Sequence, residues 1–591
     1  MPHPTFLEPA ALRNAPAPLA AWIRKLSGLE HLAEIYAHTF PDPTQADFPT
    51  RSLAALDIRV SAAETDLARI PAAGPAILTA NHPFGMLEGL AFASLLPQIR
   101  PDFKILANHV LGSVPGMRDH LLLVDVFSGP AAAFANRRAL AQAIEWLSAG
   151  HLLVIFPAGE VSAWDWRHAA VVDAPWNTTV ARLAVRTQSP VVPAFFAGAN
   201  SLPFQLLGAI HPKLRTARLP AELLNKRGAR IDLRIGSPIP AKELAALDSP
   251  NEQTEYLRAR TYVLGFRASH APADRPVASA PSIARPTPDL EAEVRALPHS
   301  QLLDQSGDYQ VLLAHANQIP HSLQEIGRLR ELTFRQAGEG TGLELDLDPF
   351  DDHYEHIFVW HRERRDIVGA YRLTRTEPVF QRFGVRGLYT HTLFHYSPEF
   401  FRRLGPAIEL GRSFVRPEYQ REYAPLTLLW KGIARYAARH AEAPVLFGAV
   451  SVSDDYHSSS RTLIVEYLRR QSDPGSLRKL ARARNPFRSP FLGSQELKRL
   501  AEVLRSPEAL SAGISEMEGP GRGIPVLLRQ YLKLGAQVID FHVDRGFANA
   551  LDCLVLVDLR NTERATLRRF MGEAATQQFL AHHQSSSRCA S

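Results

Sequence analysis

Cysteine is almost absent: 591 residues contain two, Cys553 and Cys589. Two cysteines cannot build a disulfide framework or a cysteine-rich metal centre. Long apolar runs are missing too. No 18-residue stretch is uncharged, apolar and free of proline, so a transmembrane helix is not expected. The opening MPHPTFLEPAALRNAPAPLAAWIRK has no basic start followed by an unbroken apolar segment, so no signal peptide is expected. Charge of one sign is barely in excess, with 66 Lys and Arg against 60 Asp and Glu and a net charge of +6. That mild surplus suits an acidic protein surface or an anionic membrane. No nucleic-acid-binding signature accompanies it, and no nucleic-acid partner is expected.

What remains is ordinary folded protein, 46% apolar and 21% charged, too long for one core. Residues 268–294, ASHAPADRPVASAPSIARPTPDLEAEV, are rich in Ala, Pro and Ser and read as an extended linker. The expected domains are therefore 1–267 and 295–591. In the first, apolar runs at 74–80, 103–108, 121–127, 151–157, 189–199 and 229–239 read as strands. They alternate with helical periodicity at 88–99 and 136–150, the pattern of an α/β domain. In the second, strands at 356–361, 366–374, 409–415 and 445–450 surround a helix at 424–440. Leu426, Leu429, Trp430, Ile433 and Ala437 share one face of that helix. A further helix at 526–535 and two closing strands make this half α+β.

The segment ILTANHPFGMLEGL (77–90) ends a buried strand on Asn81-His82, turns through Pro83 and Gly85, and restarts as a helix near Glu88. Such a turn exposes an imidazole at a helix start. A neutral imidazole can take a proton from a hydroxyl, with a carboxylate on its other nitrogen to orient it. His82 is the candidate general base and Glu88 its partner. NHPFGMLEG resembles the glycerolphosphate and lysophospholipid acyltransferases, whose signature is N-H-x-x-x-x-D. It is closest to their haemolysin-like subgroup, N-H-P-x-G-x-x-D-G, with Glu88 in the place of the acid. The resemblance spans about residues 50–245 and implies substrate contacts from Asn81, Gly85, Phe156, Pro157, Gly159, Glu160 and Ser162. The last five lie in FPAGEVS, where the family carries F-P-E-G-T-R-S. Val161 stands where the family's Arg would hold a phosphate, which implies an acceptor without phosphate. Glu160 either complements an amine on that acceptor or caps nearby backbone.

The second half has a helix at 325–336, an acidic loop in LELDLDPFDDHYEHIFVWH (343–361) and the strand AIELGRSFV (407–415). This order resembles N-acyltransferases of the GNAT fold, nearest to ornithine-acyl-carrier-protein N-acyltransferases, over about residues 300–560. The matching positions are Arg330, Phe334, Asp348, Asp351, Glu409 and Arg412. Attack on a thioester needs a deprotonated amine, so Glu409 is the candidate base, with Asp348 and Asp351 holding a cationic acceptor. Arg412 either grips the acceptor's carboxylate or keeps Glu409 ionised; a structural Glu409–Arg412 ion pair is the competing reading. His353, His356 and His361 lack diagnostic ligand spacing, and no metal is expected. In REYAPLTLLW (421–430), Ala424 and Leu426 replace the glycines with which acetyl-CoA enzymes cradle pyrophosphate. That favours an acyl carrier protein, with its phosphopantetheine thioester, as donor, and no tightly bound cofactor.

Together the halves resemble bifunctional ornithine lipid synthases. The resemblance implies N-acylation of ornithine with a 3-hydroxyacyl chain by the second half, then O-acylation of lyso-ornithine lipid by the first. A synthase of glycine or glutamine lipid, a lysophospholipid acyltransferase and a non-catalytic haemolysin-like membrane protein are the alternatives. The expected location is cytoplasmic, peripheral on the inner face of the cytoplasmic membrane.

Overall fold

A computed structural model describes residues 27–40, 47–108, 111–112, 114–124, 130–166, 170–210, 212–267, 287–422, 424–473, 475–491 and 494–589. The chain divides into two compact units, Met1–Arg267 with Ser494–Leu504, and Ala268–Gly493 with Arg505–Ser591. Of the stretch read as a linker, 268–286 lies outside the described residues. Its end belongs to a helix, Thr287–Ala296, whose Leu290 is buried in the second unit's core.

The first unit is built on strands β1 (Arg59–Ser61), β2 (Ala76–Ala80), β3 (Phe103–Asn108), β4 (Leu121–Val124), β5 (Leu152–Ile155), the short pair β6 (Ala163–Asp165) and β7 (Ala170–Val172), β8 (Val191–Phe196) and β9 (Arg230–Ile235). Seven of them form one sheet in the order β1-β9-β8-β2-β5-β3-β4, parallel except where β8 meets β9. Every residue of β2 is buried, as parallel strands covered on both faces require. Strand β4 ends at Val124, and residues 125–127 of the run expected there lie outside the described set. The helix expected at 136–150 is longer, Pro130–Ser148. A helix from far along the chain, Gln495–Val503, joins this unit through Arg499–Glu255 at 2.6 Å. The carboxyl end of central β2 faces a sheet-order reversal, the usual ligand crevice of open α/β sheets.

The second unit carries β10 (Leu302–Ser306), β11 (Tyr309–His315), β12 (Glu355–His361), β13 (Asp366–Arg375), β14 (Phe394–Tyr396), β15 (Ala407–Val415), β16 (Val445–Val452), β17 (Ala481–Ala483), β18 (Gln537–Asp544) and β19 (Ala550–Asp558). Eight make one mixed sheet, β10-β11-β12-β13-β15-β16-β19-β18. Only β15 and β16 run parallel, and the helix Ala424–Arg439 supplies the crossover that such a pair needs. Their pairing runs from Ala407↔Val445 to Leu410↔Gly448 and stops there, although both strands continue. Beyond Leu410 they part, leaving a gap in the sheet. At that point β15 bulges against β13: Ala370 faces Phe414 and Arg372 faces Gly411, so Arg412 and Ser413 oppose Tyr371 alone. Arg412 takes φ 50, a left-handed conformation that a bulky side chain adopts only where its surroundings hold it.

Candidate active sites

In the first unit the chain leaves β2 through Asn81, whose amide gives 3.0 Å to Phe196 O and accepts 2.7 Å from Phe196 N. Asn81 thereby extends the β2–β8 ladder by one side chain and fixes where His82 emerges. Gly85 follows at φ 103 and caps the helix Met86–Leu95. A Cβ there would meet Leu219 at 3.0 Å and Val161 at 3.4 Å. Glu88, in the first turn and fully buried, accepts the Phe84 N–H at 2.6 Å, a favourable place for a carboxylate at a helix start. Its Oε1 lies 3.5 Å from His82 Nδ1. With Nδ1 turned to Glu88, the ring presents Nε2 on its opposite side. Burial alone would lower the imidazole pKa. The charge and hydrogen bond of Glu88 and the charge of Asp173 outweigh it and raise the pKa above 6.5.

The FPAGEVS loop wraps this imidazole. Phe156 packs on the His82 ring with centroids 4.6 Å apart. Gly159, at φ 70, closes a turn onto Phe156 O, and Pro157 O accepts from Asn177. Ser162 N donates to His82 O at 2.8 Å, and its hydroxyl donates to Asp173. The same Asp173 oxygen accepts the His82 N–H at 3.1 Å, and its other oxygen accepts Trp176 Nε1 at 2.8 Å. Asp173 is thus the hub that ties the loop to the histidine. Glu160 points outward and pairs with Arg215 at 2.7 Å. Val161 is buried.

In the second unit the acidic loop folds over three arginines. Arg330, on the helix Pro320–Gln336, bonds Asp351 at 2.7 Å. Arg372, on β13, grips Asp348 through two bonds of 2.6 and 2.8 Å and lies 3.1 Å from Asp351. Arg412 lies 3.4 Å from Asp346 and 3.9 Å from Asp348. Arg330 and Arg372 are fully buried, and the two guanidinium charges, set against the penalty of burial, hold the Asp351 carboxyl well below its usual range. Asp348 and Asp351, read from the sequence as holders of a cationic acceptor, direct their oxygens to Arg372 and Arg330.

Glu409 is buried beneath this network. Its carboxylate accepts from the Tyr354 hydroxyl, from Tyr389 N at 3.2 Å and from Thr390 N at 2.7 Å. Burial raises its pKa against the pull of those donors. The held Tyr389 ring lies between two guanidiniums, 4.9 Å from Arg372 and 4.9 Å from Arg412. Arg412 also lies 4.7 Å from the Phe547 ring, which meets Phe334 edge-on at 5.1 Å. In a regular strand Glu409 and Arg412, three apart, would face opposite ways. The bulge brings both to Tyr389. Across the gap, Glu339 accepts from Ser451 of β16 at 2.9 Å. Burial lifts the Glu339 carboxyl to about 7, despite that hydrogen bond and the charge of Arg412. The three histidines go to separate partners: His353 to Gly387 O, His356 to Asp351 O, and His361 to Arg364 N. Among the described residues no group of three or more His, Cys, Asp or Glu could hold a metal ion.

Residues 7–269 match a family model described as acyltransferase, and residues 329–431 match one described as an acetyltransferase (GNAT) domain. A glycine N(alpha)-acyltransferase of Bacteroides thetaiotaomicron is 36% identical over 192 residues, 31% of this chain and 57% of that protein. A second glycine N(alpha)-acyltransferase, of Phocaeicola vulgatus, is 30% identical over 255 residues, 40% of this chain and 76% of its own length. The chain belongs to the acyltransferase family that these proteins represent. A lyso-glycine lipid O-acyltransferase of Phocaeicola vulgatus is 25% identical over 225 residues, 37% of this chain and 77% of its own. The chain thus spans little more than half the length of the first relative and about three quarters of the other two.

The acyltransferase domain carries His82 and its sheet, and the GNAT domain carries the Arg330–Arg372–Arg412 network. Several residues that build these sites carry no sequence signal. Asp173 and Trp176 lie in an irregular stretch, DAPW. Arg372 looks like an ordinary polar position on a strand. Glu339 sits in a Gly-flanked turn, AGEG, whose partner Ser451 is 112 residues away.

Proposed function

We propose that the chain is a bifunctional aminolipid synthase. In the GNAT domain, the amino group of an amino acid attacks a 3-hydroxyacyl thioester. In the acyltransferase domain, the 3-hydroxyl of the resulting monoacyl lipid attacks a second acyl thioester. The observation that carries this reading is the pairing of two complementary sites in one chain. One is an imidazole backed by a buried carboxylate beside a buried Val161. The other is a guanidinium beside a carboxylate at an open sheet gap.

In the GNAT domain Arg412 holds the amino acid's carboxylate. Its guanidinium is set against Tyr389 and Phe547 and has no short bond to Asp346 or Asp348. Glu339 takes one proton from the ammonium and passes it to solvent, the free amine adds to the thioester carbonyl, and the nitrogen's second proton leaves with the departing thiolate as thiol. Glu409 positions the Tyr389–Thr390 loop under Arg412. In the acyltransferase domain His82 Nε2 takes the hydroxyl proton as the oxygen attacks. Glu88 stabilises the imidazolium, which then protonates the departing thiolate. The donor in both steps is acyl carrier protein, whose acidic surface suits the chain's net positive charge. Ala424 and Leu426, in the first turn of the helix Ala424–Arg439, offer less room for a CoA pyrophosphate than glycines would.

Ornithine is the proposed acceptor, because Asp544 adds a carboxylate beside Asp552, where burial pushes the carboxyl well above its usual range, and the Asp544 charge suits a side-chain ammonium. Glycine is the competing acceptor, favoured by the names of all three relatives. The test is lipid mass spectrometry of a host without aminolipids, expressing wild type, H82A and E339Q. Diacylated ornithine from wild type, the monoacyl form from H82A and neither from E339Q are expected. A glycine headgroup would replace the acceptor assignment, and no aminolipid with donor and amino acids present would refute the function.

A further inference from the structure

We infer that the acyltransferase domain docks on an anionic lipid bilayer through a face made by the β6–β7 hairpin and the helices Leu202–Ile210 and Pro212–Ala217. Among the described residues, eleven large apolar side chains are exposed, and six of them lie here: Trp164, Trp166, Leu202, Leu206, Ile210 and Leu214. Single exposed apolar residues are normal, whereas a cluster marks a contact surface. Leu202, Leu206 and Ile210 recur every four residues, so they form one stripe along the helix, 71%, 54% and 74% exposed. The same helix buries Phe204 and Gln205 toward the protein. Trp164 and Trp166 meet edge-on at 6.0 Å, and Trp166 is 78% exposed. The hairpin and helix are joined, because Trp164 N donates to Gln205 Oε1 at 2.9 Å. The two tryptophans and the stripe therefore belong to one connected surface.

A bilayer fits this face better than a protein does. Tryptophan favours the membrane–water boundary, where its ring is half immersed and its N–H stays wet. Stable peripheral binding needs a second signal beside apolar insertion, and charge supplies it. Residues 202–227 hold five cations, Lys213, Arg215, Arg218, Lys226 and Arg227, and one acid, Glu222; Arg215 pairs with Glu160 and Arg218 with Glu222, which leaves a surplus of three. Anionic headgroups complement that excess. The face is also continuous with the site. Ser162, bonded to the Asp173 that holds the His82 N–H, is followed directly by β6. Arg215, on the second helix, pairs with Glu160 of the same loop. A lipid hydroxyl could approach His82 from the bilayer while its chains stay in the membrane. The inference rests on the proposed lipid substrate only in this last respect.

The experiment is co-sedimentation of the full chain with vesicles of phosphatidylethanolamine and phosphatidylglycerol, and with phosphatidylcholine alone. The wild type, L206E/I210E and W166S are compared. Wild type should bind the anionic vesicles more tightly than the neutral ones. The L206E/I210E change should weaken binding at least ~10-fold, since losing one buried aliphatic side chain already corresponds to about that factor. W166S should weaken it less. The circular dichroism spectrum and the thermal unfolding transition of the acyltransferase domain in L206E/I210E should match wild type, which checks that the mutated domain is folded. Failure of wild type to bind the anionic vesicles, or equal binding by L206E/I210E, overturns the docking face. Binding that behaves as stated, with no acylation of any monoacyl aminolipid, would uphold the face and refute the proposed O-acylation instead.

Discussion

Replacing Glu339 with Gln tests the proton-transfer assignment at its most specific point. Burial raises this carboxyl to about 7, so it is about one tenth ionised at pH 6 and about nine tenths at pH 8. N-acylation kcat/KM should therefore rise roughly ninefold between those pH values from this group alone. An ordinary glutamate, already ionised at pH 6, would give no such limb. The acceptor's ammonium adds a separate rise at higher pH. E339Q should remove the limb near 7 and lower kcat by about 10²- to 10⁴-fold, the usual contribution of a positioned base. Ser451 supplies a directional control, because its hydroxyl donates to Glu339 and holds the pKa down. S451A should move the limb to higher pH while leaving it present. The assay is single-turnover transfer from acyl carrier protein to the amino acid across pH 5.5 to 9. Retention of the limb in E339Q, or a downward shift in S451A, would refute the role of Glu339.

Three further outcomes follow from the geometry. O-acylation needs neutral His82, whose pKa lies above 6.5, so kcat/KM should rise with pH through that raised value. Removing the Glu88 charge in E88Q should move the limb to lower pH and reduce the maximum, as pH–rate profiles of the two proteins would record. D173A strands the buried His82 N–H, Ser162 hydroxyl and Trp176 N–H together. Chemical denaturation should show the acyltransferase domain destabilised by about 2–4 kcal/mol. R372M leaves Asp348 without its main partner and the buried Asp351 with Arg330 alone, which should cost about 3–5 kcal/mol in the GNAT domain's unfolding transition.

The fold was largely legible because hydrophobic periodicity reports burial, and burial is what places strands and helices here. The runs containing β2, β3, β5, β8, β12, β13 and β15 could all be read directly, since each buries nearly every residue or alternate ones. Motif residues such as His82 and Glu88 were also legible, because their spacing of six keeps them in one strand–turn–helix. Pairings across sequence were not. Asp348 and Arg372 meet only because β12 and β13 align in antiparallel register and bring the loop back over the sheet. Nothing in LELDLDPFD says that Arg372 takes its carboxylates. The bulge at Arg412 is equally silent, since ELGRSFV reads as a regular strand and no glycine marks the positive φ.

The two sites also differ in how they perturb a proton acceptor, and this explains why one was easier to read. At His82 the carboxylate of Glu88, four residues from the backbone N–H it accepts, is the leading charge that raises the pKa, with Asp173 adding to it; the Glu88 part is local and leaves a motif. In the GNAT domain the charges nearly cancel among Arg330, Arg372, Arg412, Asp346, Asp348 and Asp351. A cancelled network holds shape without favouring proton transfer at any one member. Glu409, below it, receives donors on both oxygens and holds Tyr389. Glu339 stands apart, with Ser451 as its side-chain donor and the charge of Arg412 too weak to offset burial. Its tuning depends on depth and on a partner strand distant in sequence. If that account is right, E409Q should lower N-acylation by disordering the Tyr389 loop yet leave the limb near 7 in place. A pH profile of E409Q that loses the limb would transfer the base role to Glu409 and overturn the distinction drawn between the two carboxylates.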